Sequence, residues 1–494
     1  MNIPNDYKEM IKWKRTYRET LIMAFEASVY KVMPNDKIVI GHSLGDGYYF
    51  YFEDRETIND DEIDKISKTL KSYVENDTKI EHITYEYKDA LEILKKRGLN
   101  DAYLLVKTNA WEKVRFFKID DYLTLEHSTK VFPSLSPLKV WEIKKYKGGL
   151  LLRYPRQENF EKIGEWKDNP ELFKAFNAYI EDGRILNLYG VGKLNEIIRS
   201  GNISDYISIS ESLQRRKILE IADEIHKRKG VKYVFVAGPS SSNKTTFATK
   251  LCLDLKTYGY EPIQISLDDY YFTKDKVPRN ELGEVDLECL EAIDTELFRE
   301  HLNDLYDGKD VYLPHFEFNI NGIGRRTFNP KPIHLHKKTI LVIEGLHALN
   351  NKLSEGIKKD IMFRIYISAL TVLNIDEHTR VRTTDNRIIR RLVRDARSRH
   401  APALETLEMW NNVERGEKKY IFPFQNDVDA VMNSAEDYEL SVLRVYAEPL
   451  LKEITPDDKD NYPVEKRLLG ILSLFDPLDS RLVPSDSMLR EFIG

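Results

Sequence analysis

A stretch that almost matches a phosphate-binding loop constrains the fold more than any other part of the sequence. Residues 238–246 read GPSSSNKTT, which fits the pattern G-x-x-x-x-G-K-[ST] except that Asn243 stands in place of the second glycine. The apolar run VKYVFVA (231–237) precedes this loop, and apolar residues follow it at helical spacing as far as Gly259. A buried strand, a loop and a helix in this order surround a phosphate with backbone N–H groups. The alternative is a serine-rich turn without a ligand.

The asparagine in the loop matters only if its backbone must take a positive φ. After glycine, asparagine is among the residues that enter the left-handed region most readily. We therefore predict a left-handed backbone at Asn243, ATP binding close to the parent's in Asn243→Gly, and damaged binding in Asn243→Val. The loop pattern further predicts that Lys244 reaches the β and γ phosphates and that Thr245 offers its hydroxyl to Mg²⁺. The predicted ATP contacts are Gly238, Ser240, Ser241, Ser242, Asn243, Lys244, Thr245 and Thr246.

Length and composition narrow the class of protein. A chain of 494 residues is long for a single hydrophobic core, which predicts two or three domains. A net charge of −6 gives no overall attraction to nucleic acid. The only cysteines are Cys252 and Cys289, and their spacing does not suit a metal site, which is typical of a reducing compartment. The polar start and the lack of a long apolar run predict a cytoplasmic protein without a signal peptide or membrane span.

Two patterns of secondary structure divide the chain. Residues 1–150 mix helical stretches such as 61–74 with strand-like pieces, YYFYF at 48–52 and YLLVK at 103–107, which predicts an α+β domain. GLLLRY (149–154) is expected to start a connecting region, which we assign to 151–204. Over 205–455 the apolar runs VKYVFVA, EPIQISL, KTILVIEG, MFRIYIS and VDAVMNS alternate with helical text, which predicts an α/β fold with a doubly wound parallel sheet. The tail, 456–494, is expected to pack on the body.

Acidic residues follow two of these predicted strands. SLDDYY ends the second strand with Asp268 and Asp269, and the carboxyl ends of parallel strands are where such sheets bind ligands. A carboxylate there can accept the proton of an attacking hydroxyl. KTILVIEG ends in Glu344, from which an acid can hold Mg²⁺ directly or through water. Between them, the acids of DLECLEAID (286–294) are suited either to binding sugar hydroxyls or to capping a helix. The alternatives are a pair of solvated acids or a helix cap for Asp268 and Asp269, and a solvated strand end for Glu344.

An arginine-rich segment is a further candidate for binding phosphate. TTDNRIIRRLVRDARSRH places Arg387, Arg391 and Arg394 on one face of a predicted helix, with apolar residues mainly on the other. Facing the sheet edge, this row would neutralise phosphate charge as a lid. A solvated basic helix and a nucleic-acid-binding stripe are the alternatives.

These segments together resemble the uridine kinase and phosphoribulokinase family. GPSSSNKTT, SLDDYY, DLECLEAID, VIEG and RIIRRLVRD occur in the family's order, over roughly residues 205–455. The resemblance implies a P-loop kinase that transfers a phosphoryl group from ATP to a hydroxyl, with Mg²⁺. It also implies that Asp268 is the general base and that Glu344 helps to place the metal. Lys244, Arg391 and Arg394 would absorb the charge of the transferred group.

The residues matched to the family's acceptor site depart from its pattern. PHFEFNIN has Phe316 and Asn321 where uridine kinases typically read the base with a tyrosine and a histidine. Glu288 matches a sugar-binding aspartate, and Ala401 stands where a second lid arginine is usual. These departures predict a sugar-like hydroxyl acceptor, with weak or no activity on uridine and cytidine. The candidate substrate contacts are Asp286, Glu288, Phe316, Asn321 and Arg399.

The N-terminal part resembles the second, editing domain of threonyl-tRNA synthetases. The resemblance rests on GHSLGDGYYFYF followed by DDEIDKISKTLKSYVENDTKI, and a bacterial group fuses such a segment to a uridine kinase-like domain. Met23 and Ala27 stand where that family has paired histidines, so the fold is expected without the hydrolytic chemistry. The sequence leaves open an RNA- or tRNA-associated NTPase, a catalytically silent module, and assembly into a homo-oligomer.

Overall fold

The computed structural model describes residues 4, 7–127, 130–155, 160–279, 283, 285–317, 324–370 and 373–494. In the first part of this range, four helices pack against two antiparallel sheets. The elements are α1 (Tyr7–Val32), β1 (Ile38–Leu44), β2 (Gly47–Phe52), α2 (Asp60–Glu75), β3 (Glu81–Glu86), α3 (Tyr87–Lys96), α4 (Asn100–Asn109), β4 (Lys113–Ile119), β5 (Tyr122–Leu125), β6 (Glu142–Tyr146) and β7 (Gly149–Arg153). The strand orders are β1-β2-β7-β6 and β3-β4-β5. Phe25 of α1, Phe50 of β2 and Phe117 of β4 share one buried cluster, which joins the helix to both sheets.

Two sequence-based assignments in this part are wrong. YLLVK, predicted as a strand, lies within α4, because Ala102, Leu105 and Val106 are buried at the spacing of one helical face. A side chain at Gly192 would overlap the backbone of α4, so this glycine permits the close approach of the neighbouring helix. GLLLRY, assigned to the connecting region, instead forms β7, a central strand whose residues are all buried between β2 and β6.

Three helices lead from this part to a parallel sheet: α5 (Pro170–Leu186), α6 (Val191–Ser200) and α7 (Ile203–Lys227). Asn169 caps α5, since its side chain accepts a hydrogen bond from the N–H of Leu172 at 3.0 Å, and proline occupies the first helical position. Apolar residues of α6 and α7 belong to the same buried cluster as α4. These helices are therefore packed elements and not an extended linker.

The remaining elements include the strands of a parallel sheet, two hairpins and the helices around them. They are β8 (Tyr233–Ala237), α8 (Lys244–Thr257), β9 (Glu261–Ser266), α9 (Thr295–Tyr306), β10 (Pro314–Glu317), β11 (Arg325–Phe328), β12 (Thr339–Glu344), β13 (Met362–Ser368), β14 (Asn374–Asp376), β15 (Thr379–Arg380), α10 (Thr383–Arg399), α11 (Ala403–Tyr420), β16 (Ala430–Asn433), α12 (Glu439–Leu451), α13 (Tyr462–Leu472) and α14 (Arg490–Ile493). Two short antiparallel hairpins, β10–β11 and β14–β15, lie outside the main sheet.

The main sheet has five parallel strands among the described residues, in the order β16-β13-β8-β12-β9. All five apolar runs predicted as strands are confirmed. Every residue of β8 is buried because both faces of this central strand are covered, which explains the absence of alternation in its sequence. β9 and β12 lie on one side of β8, and β13 and β16 on the other. The loop after β8 therefore lies at a topological switch point, where ligands of such sheets bind.

Contacts between the two halves of the chain are extensive. A single cluster of buried apolar residues includes Leu105 of α4, Ile375 of β14 and Leu392 of α10. The carboxylate of Glu377, in the β14–β15 hairpin, accepts hydrogen bonds from the N–H groups of Asp101 and Ala102 at 2.7 and 3.1 Å. These N–H groups lack partners within their helix, so Glu377 caps α4 from the other half of the chain. In the described part of the chain no helix is long and apolar enough to cross a membrane.

Candidate active site

The phosphate loop connects β8 to α8. Asn243 has φ 64° and ψ 30°, which confirms the predicted left-handed backbone. Ser241 also has a positive φ, 59°, and this second left-handed residue was not anticipated. Gly238 has no room for a side chain, because an added Cβ would overlap the carbonyl oxygen of Ile367 on β13. The loop thus has the sharp turns that aim consecutive backbone N–H groups inward.

The residues of the loop fit a nucleotide phosphate. The hydroxyl groups of Ser241 and Ser242 are buried and have no hydrogen-bond partner among the residues that the structure describes. The side chain of the N-cap residue, Asn243, makes no capping hydrogen bond to α8, which leaves the first N–H groups of the helix suited to binding an anion. Lys244 Nζ donates to the carbonyl of Pro239 at 3.1 Å, which holds the ammonium group over the loop. Unpaired donors and a fixed cation around a helix N-terminus are what a triphosphate requires.

Thr245 and Glu344 provide oxygen ligands suited to Mg²⁺. Thr245 Oγ1 donates to Glu344 Oε1 at 3.2 Å, so the first turn of α8 meets the end of β12. Glu344 is only 4% exposed. Burial raises the pKa of its carboxyl, Asp268 raises it further, and Lys244 and hydrogen bonds from Ser266 and Thr245 lower it. Mg²⁺ commonly binds one or two protein oxygens together with substrate phosphates, and this pair is sufficient for such a site.

Asp268 lies at the start of a 3₁₀ turn, Leu267–Tyr270, directly after β9. Its side chain is open to the cleft, and no hydrogen bond to its carboxylate is formed within the described residues. The walls of the cleft desolvate the group and raise its pKa, whereas the nearby Lys244 lowers it. Asp269 is differently placed, since its Oδ1 accepts hydrogen bonds from Phe316 N at 3.0 Å and His315 Nδ1 at 3.1 Å. Of the two aspartates, Asp268 is therefore the one available to a substrate hydroxyl.

The acids of DLECLEAID divide between the two roles considered for them. Asp294 is the N-cap of α9 and accepts from Leu297 N at 3.1 Å, which favours capping for this residue. Glu288 instead lies beside the cleft, where burial raises its pKa to about 7, with smaller effects from Arg391, which lowers it, and Glu417, which raises it. Asp286 Oδ1 accepts from the N–H of Glu288 at 3.1 Å and fixes this turn.

The other predicted substrate contacts, Phe316, Arg399 and Asn321, differ in their positions. Phe316 is 6% exposed and packs against Tyr271, with ring centroids 6.3 Å apart. It therefore shapes an apolar wall and offers no hydroxyl. Arg399, at the end of α10, pairs with Asp395 at 3.4 Å, and its charge lowers the pKa of Asp268. Asn321 lies outside the described residues.

The arginine helix differs from its prediction. α10 is buried over most of its length, so the solvated basic helix is wrong. Arg387 does not extend over the cleft as a lid residue would. It forms a buried ion pair with Glu417 of α11 and donates to the carbonyl of Ser240 at 2.8 Å. Glu417 also accepts from the N–H of Ser240 at 3.2 Å. Arg387 thus supports the phosphate loop from behind.

Arg391 and Arg394, the other two arginines of the predicted face, lie nearer the cleft. Arg391 donates to Ser240 Oγ at 3.0 Å and to Asp395 at 3.1 Å. Arg394 donates to the same aspartate at 3.2 Å. Arg390, not singled out from the sequence, is 1% exposed and binds Glu439, the carbonyl of Ser241 and Asn243 Oδ1. It belongs to the scaffold of the loop, and its place among several arginines gave no signal of this role.

The last helix of the chain also contacts the loop. Asn243 Nδ2 donates to the carbonyl of Met488 and to Glu491 Oε2, both at 2.9 Å. Glu491 accepts a further hydrogen bond from Thr246 Oγ1 at 2.6 Å. Together with the bond from Arg390, these contacts connect Asn243 to both α10 and α14. A glycine at this position would make none of them, and no motif in the sequence indicated Glu491.

Comparison with known proteins agrees with this geometry. Residues 234–441 match the family described as phosphoribulokinase / uridine kinase. The uridine kinase of Macrococcus caseolyticus (strain JCSC5402) is 27% identical over 199 residues, which are 40% of this chain and 85% of that protein. The uridine kinase of Staphylococcus aureus (strain JH9) is 26% identical over 206 residues, 41% of this chain and 88% of that protein.

Among solved structures, one described as a possible uridine kinase from Bacillus stearothermophilus aligns with 44% of this chain and 98% of its own, at 18% identity and a TM-score of 0.30. The match to the family and the parallel sheet with its phosphate loop concern the same region of the chain. The C-terminal region therefore contains a P-loop kinase domain of the phosphoribulokinase and uridine kinase family.

Proposed function

We propose that the protein transfers the γ-phosphoryl group of ATP to a hydroxyl group of a small molecule. The observation that carries this proposal is the position of Asp268. Its carboxylate has no hydrogen-bond partner among the described residues, lies at the carboxyl end of β9, and is close enough to Lys244 for the ammonium to lower its pKa. A general base beside a phosphate-binding lysine is the arrangement that phosphoryl transfer to an alcohol requires.

In the proposed reaction the acceptor oxygen attacks the γ-phosphorus and forms the new P–O bond. The bond from this phosphorus to the bridging oxygen of ADP breaks, and the acceptor proton moves to the carboxylate of Asp268. Lys244, Arg391 and Arg394 stabilise the negative charge of the transferred group. Thr245 and Glu344 would hold Mg²⁺, which neutralises phosphate charge when bound.

The acceptor is proposed to present a sugar-like hydroxyl. Phe316, buried against Tyr271, cannot donate or accept the hydrogen bond that a base-reading tyrosine would make. Glu288 and Asp286 remain beside the cleft and are suited to binding vicinal hydroxyls. The relatives named above carry the name uridine kinase, and a site built for a base rejects analogues by leaving its own polar groups unpaired. Because Phe316 is apolar, the site lacks one of the polar groups that would select for a base.

A phosphotransfer screen tests this function. Purified full-length protein, ATP and Mg²⁺ are incubated with nucleosides, sugars and polyols, and phosphorylated products are detected by mass spectrometry. We expect product with at least one hydroxylated acceptor and none with Lys244→Ala. The matched control is Lys256→Ala, an exposed lysine on the same helix, α8, which should react like the parent. ATP consumption that RNA stimulates, without any phosphorylated metabolite, would contradict the kinase proposal and favour an RNA-associated NTPase.

For the N-terminal part, we propose a threonyl-tRNA synthetase-like domain without editing activity. Met23 replaces one of the expected histidines, and the histidines present have other partners. His42 is 1% exposed and stacks on Phe176. His127 Nε2 lies 2.7 Å from Asp376 Oδ2. We expect no deacylation of mischarged tRNA, and measurable deacylation that His127→Ala abolishes would overturn this part of the proposal.

A further inference from the structure

A polar cavity lies between the two halves of the chain, on the N-terminal side of α10. Its volume is about 60 Å³. Its lining includes Glu26 of α1, Tyr48 of β2 and Thr124 of β5 on one side, and His378 and Arg380 of the β14–β15 hairpin on the other. The phosphate loop and Asp268 do not line this cavity, so it is distinct from the proposed kinase site.

Arg380 extends into this cavity without an ion pair among the described residues. Among the described residues no carboxylate lies within ion-pair distance of its guanidinium group. Its Nη1 is buried without a hydrogen-bond partner, and its Nη2 makes only a long bond, 3.4 Å, to the carbonyl of Leu370. The ring of Tyr48 lies 5.7 Å away. A half-buried guanidinium with an unused N–H normally binds an anion, because desolvating an unpaired charge is costly.

The surroundings add positive charge. Arg18 lies on the same Tyr48 ring, at 5.9 Å. Burial lowers the pKa of Arg380, Tyr48 raises it, and the charge of Arg18 lowers it. Arg15 also lacks an ion-pair partner among the residues that the structure describes, and burial lowers its pKa to about 9, with the charges of Arg467 and Arg382 lowering it further. Glu19 also lines the cavity, but it is already paired with Arg18 and Arg382, at 2.7 and 2.6 Å. The local charge balance therefore favours a negative ligand.

Uncharged polar groups face the cavity from the other side. Glu26 is 2% exposed; its Oε2 accepts from Tyr122 at 2.9 Å, whereas its Oε1 is buried without a partner. Burial raises the pKa of this carboxyl well above its ordinary value, which favours the protonated form. His378, whose pKa burial lowers to about 4, is neutral and lies 3.4 Å from Thr124 Oγ1. These groups suit a ligand hydroxyl or carbonyl.

We propose that this cavity binds a small hydroxy acid, with its carboxylate on Arg380 and its hydroxyl on the side of Glu26, Thr124 and His378. A cavity needs roughly 10–15 Å³ to hold one water, so the volume corresponds to about four to six water-sized groups. A three-carbon hydroxy acid has a similar number of non-hydrogen atoms. Filling the site with ordered water alone would leave the charge of Arg380 without a partner.

The position of the cavity predicts an effect on nucleotide binding. Arg380 ends β15, and α10 begins three residues later at Thr383. The same helix carries Arg387 and Arg390, which contact the phosphate loop. A ligand that fixes Arg380 therefore acts on the element that supports the loop. This coupling rests on the proposed nucleotide site, whereas binding of the hydroxy acid does not.

Isothermal titration of the full-length protein with L-lactate tests the site, and L-lactamide is the neutral probe of matched size. We expect L-lactate to bind, and Arg380→Met or replacement of the carboxylate by the amide to weaken binding by roughly tenfold or more. Arg415→Met, at an exposed arginine of α11, is the matched control and should bind like the parent. Thr124→Val, which keeps the shape but removes the hydroxyl, should weaken binding too and serves if Arg380→Met does not fold.

The possible results separate the explanations. No binding of L-lactate at about 10 mM, or equal binding by Arg380→Met, would overturn the proposal. Equal affinity for inorganic phosphate with the same dependence on Arg380 would mean a site for simple anions and would overturn the assignment to hydroxy acids. A dissociation constant for L-lactate that is the same with and without an ATP analogue would overturn the coupling, and binding of the analogue itself reports separately on the proposed nucleotide site.

Discussion

Replacing Asn243 by glycine removes a side chain that connects the phosphate loop to α10 and α14. Asn243 Oδ1 accepts from Arg390 at 2.8 Å, and Nδ2 donates to Met488 O and Glu491 Oε2 at 2.9 Å each. A hydrogen bond contributes about 0.5–1.5 kcal/mol net, and one to a charged group about 1.5–3 kcal/mol. Because Arg390 and Glu491 keep other partners, we expect a loss of roughly 2–4 kcal/mol. Glycine tolerates the positive φ, but it also makes the unfolded chain more flexible, and this lowers the stability of the folded loop further.

This expectation replaces the one drawn from the sequence, that Asn243→Gly would bind ATP like the parent. Each 1.4 kcal/mol lost from the binding-competent conformation raises the dissociation constant about tenfold. If the full loss of roughly 2–4 kcal/mol destabilises the conformation that binds ATP, the dissociation constant for ATP rises by roughly thirtyfold to several hundredfold. Asn243→Val should be worse, because a β-branched residue is strained at positive φ in addition to lacking the hydrogen bonds.

The assay is titration with a fluorescent ATP analogue, together with urea denaturation of the same variants. A double-mutant cycle with Glu491→Ala isolates the contact between the loop and α14. We expect the sum of the free-energy losses in the two single variants to exceed the loss in the double variant. Each single variant already removes the hydrogen bond between Asn243 and Glu491, so this bond is counted twice in the sum. A parent-like dissociation constant and denaturation midpoint for Asn243→Gly would refute the reasoning, and would mean that only the backbone conformation at this position matters.

Three further outcomes are expected. Asp268→Asn should lower the turnover rate by a factor of roughly 10²–10⁴ with little change in ATP affinity, which steady-state kinetics would measure. Near-normal turnover would show that the acceptor proton moves to another group. The carboxyl of Glu288 has its pKa raised from 4.5 to about 7, so the folded protein holds this proton more tightly than the unfolded chain and loses stability as the pH rises through that interval. Glu288→Gln should flatten this fall in urea denaturation, and an unchanged pH dependence would contradict it. Uridine should be phosphorylated with kcat/KM below about 10⁴ M⁻¹s⁻¹, and a higher value would mean that Phe316 does not discriminate against it.

The parallel sheet was predictable because each of its strands is an apolar run bounded by turn residues. β8 and β12 are buried on both faces, so their sequences lack alternation and stand out from the charged helices around them. YLLVK has the same local appearance but belongs to α4. A five-residue apolar run does not distinguish a strand from the buried face of a helix, and only packing against the neighbouring helix decides it.

The phosphate loop shows where local reasoning ends. Its conformation at Asn243 follows from the backbone preference of asparagine, which is a local property. The partners of its side chain are Arg390, 147 residues away, and Glu491, 248 residues away. Arg387 was likewise placed on a cleft-facing row by periodicity, but its buried partner Glu417 lies on another helix. Pairings between distant segments leave no periodic signal in a single sequence.

The capping of α4 by Glu377 has a consequence for synthesis of the protein. Asp101 and Ala102 leave the ribosome 276 and 275 residues before the carboxylate that binds their N–H groups. At about 5–20 residues per second, the part of the apolar face of α4 that β14 covers stays exposed for some tens of seconds, although α6 already packs on the helix. During that interval the nascent chain exposes a surface suited to chaperones and prone to aggregation. The N-terminal half is therefore expected to mature only when the kinase domain has been made.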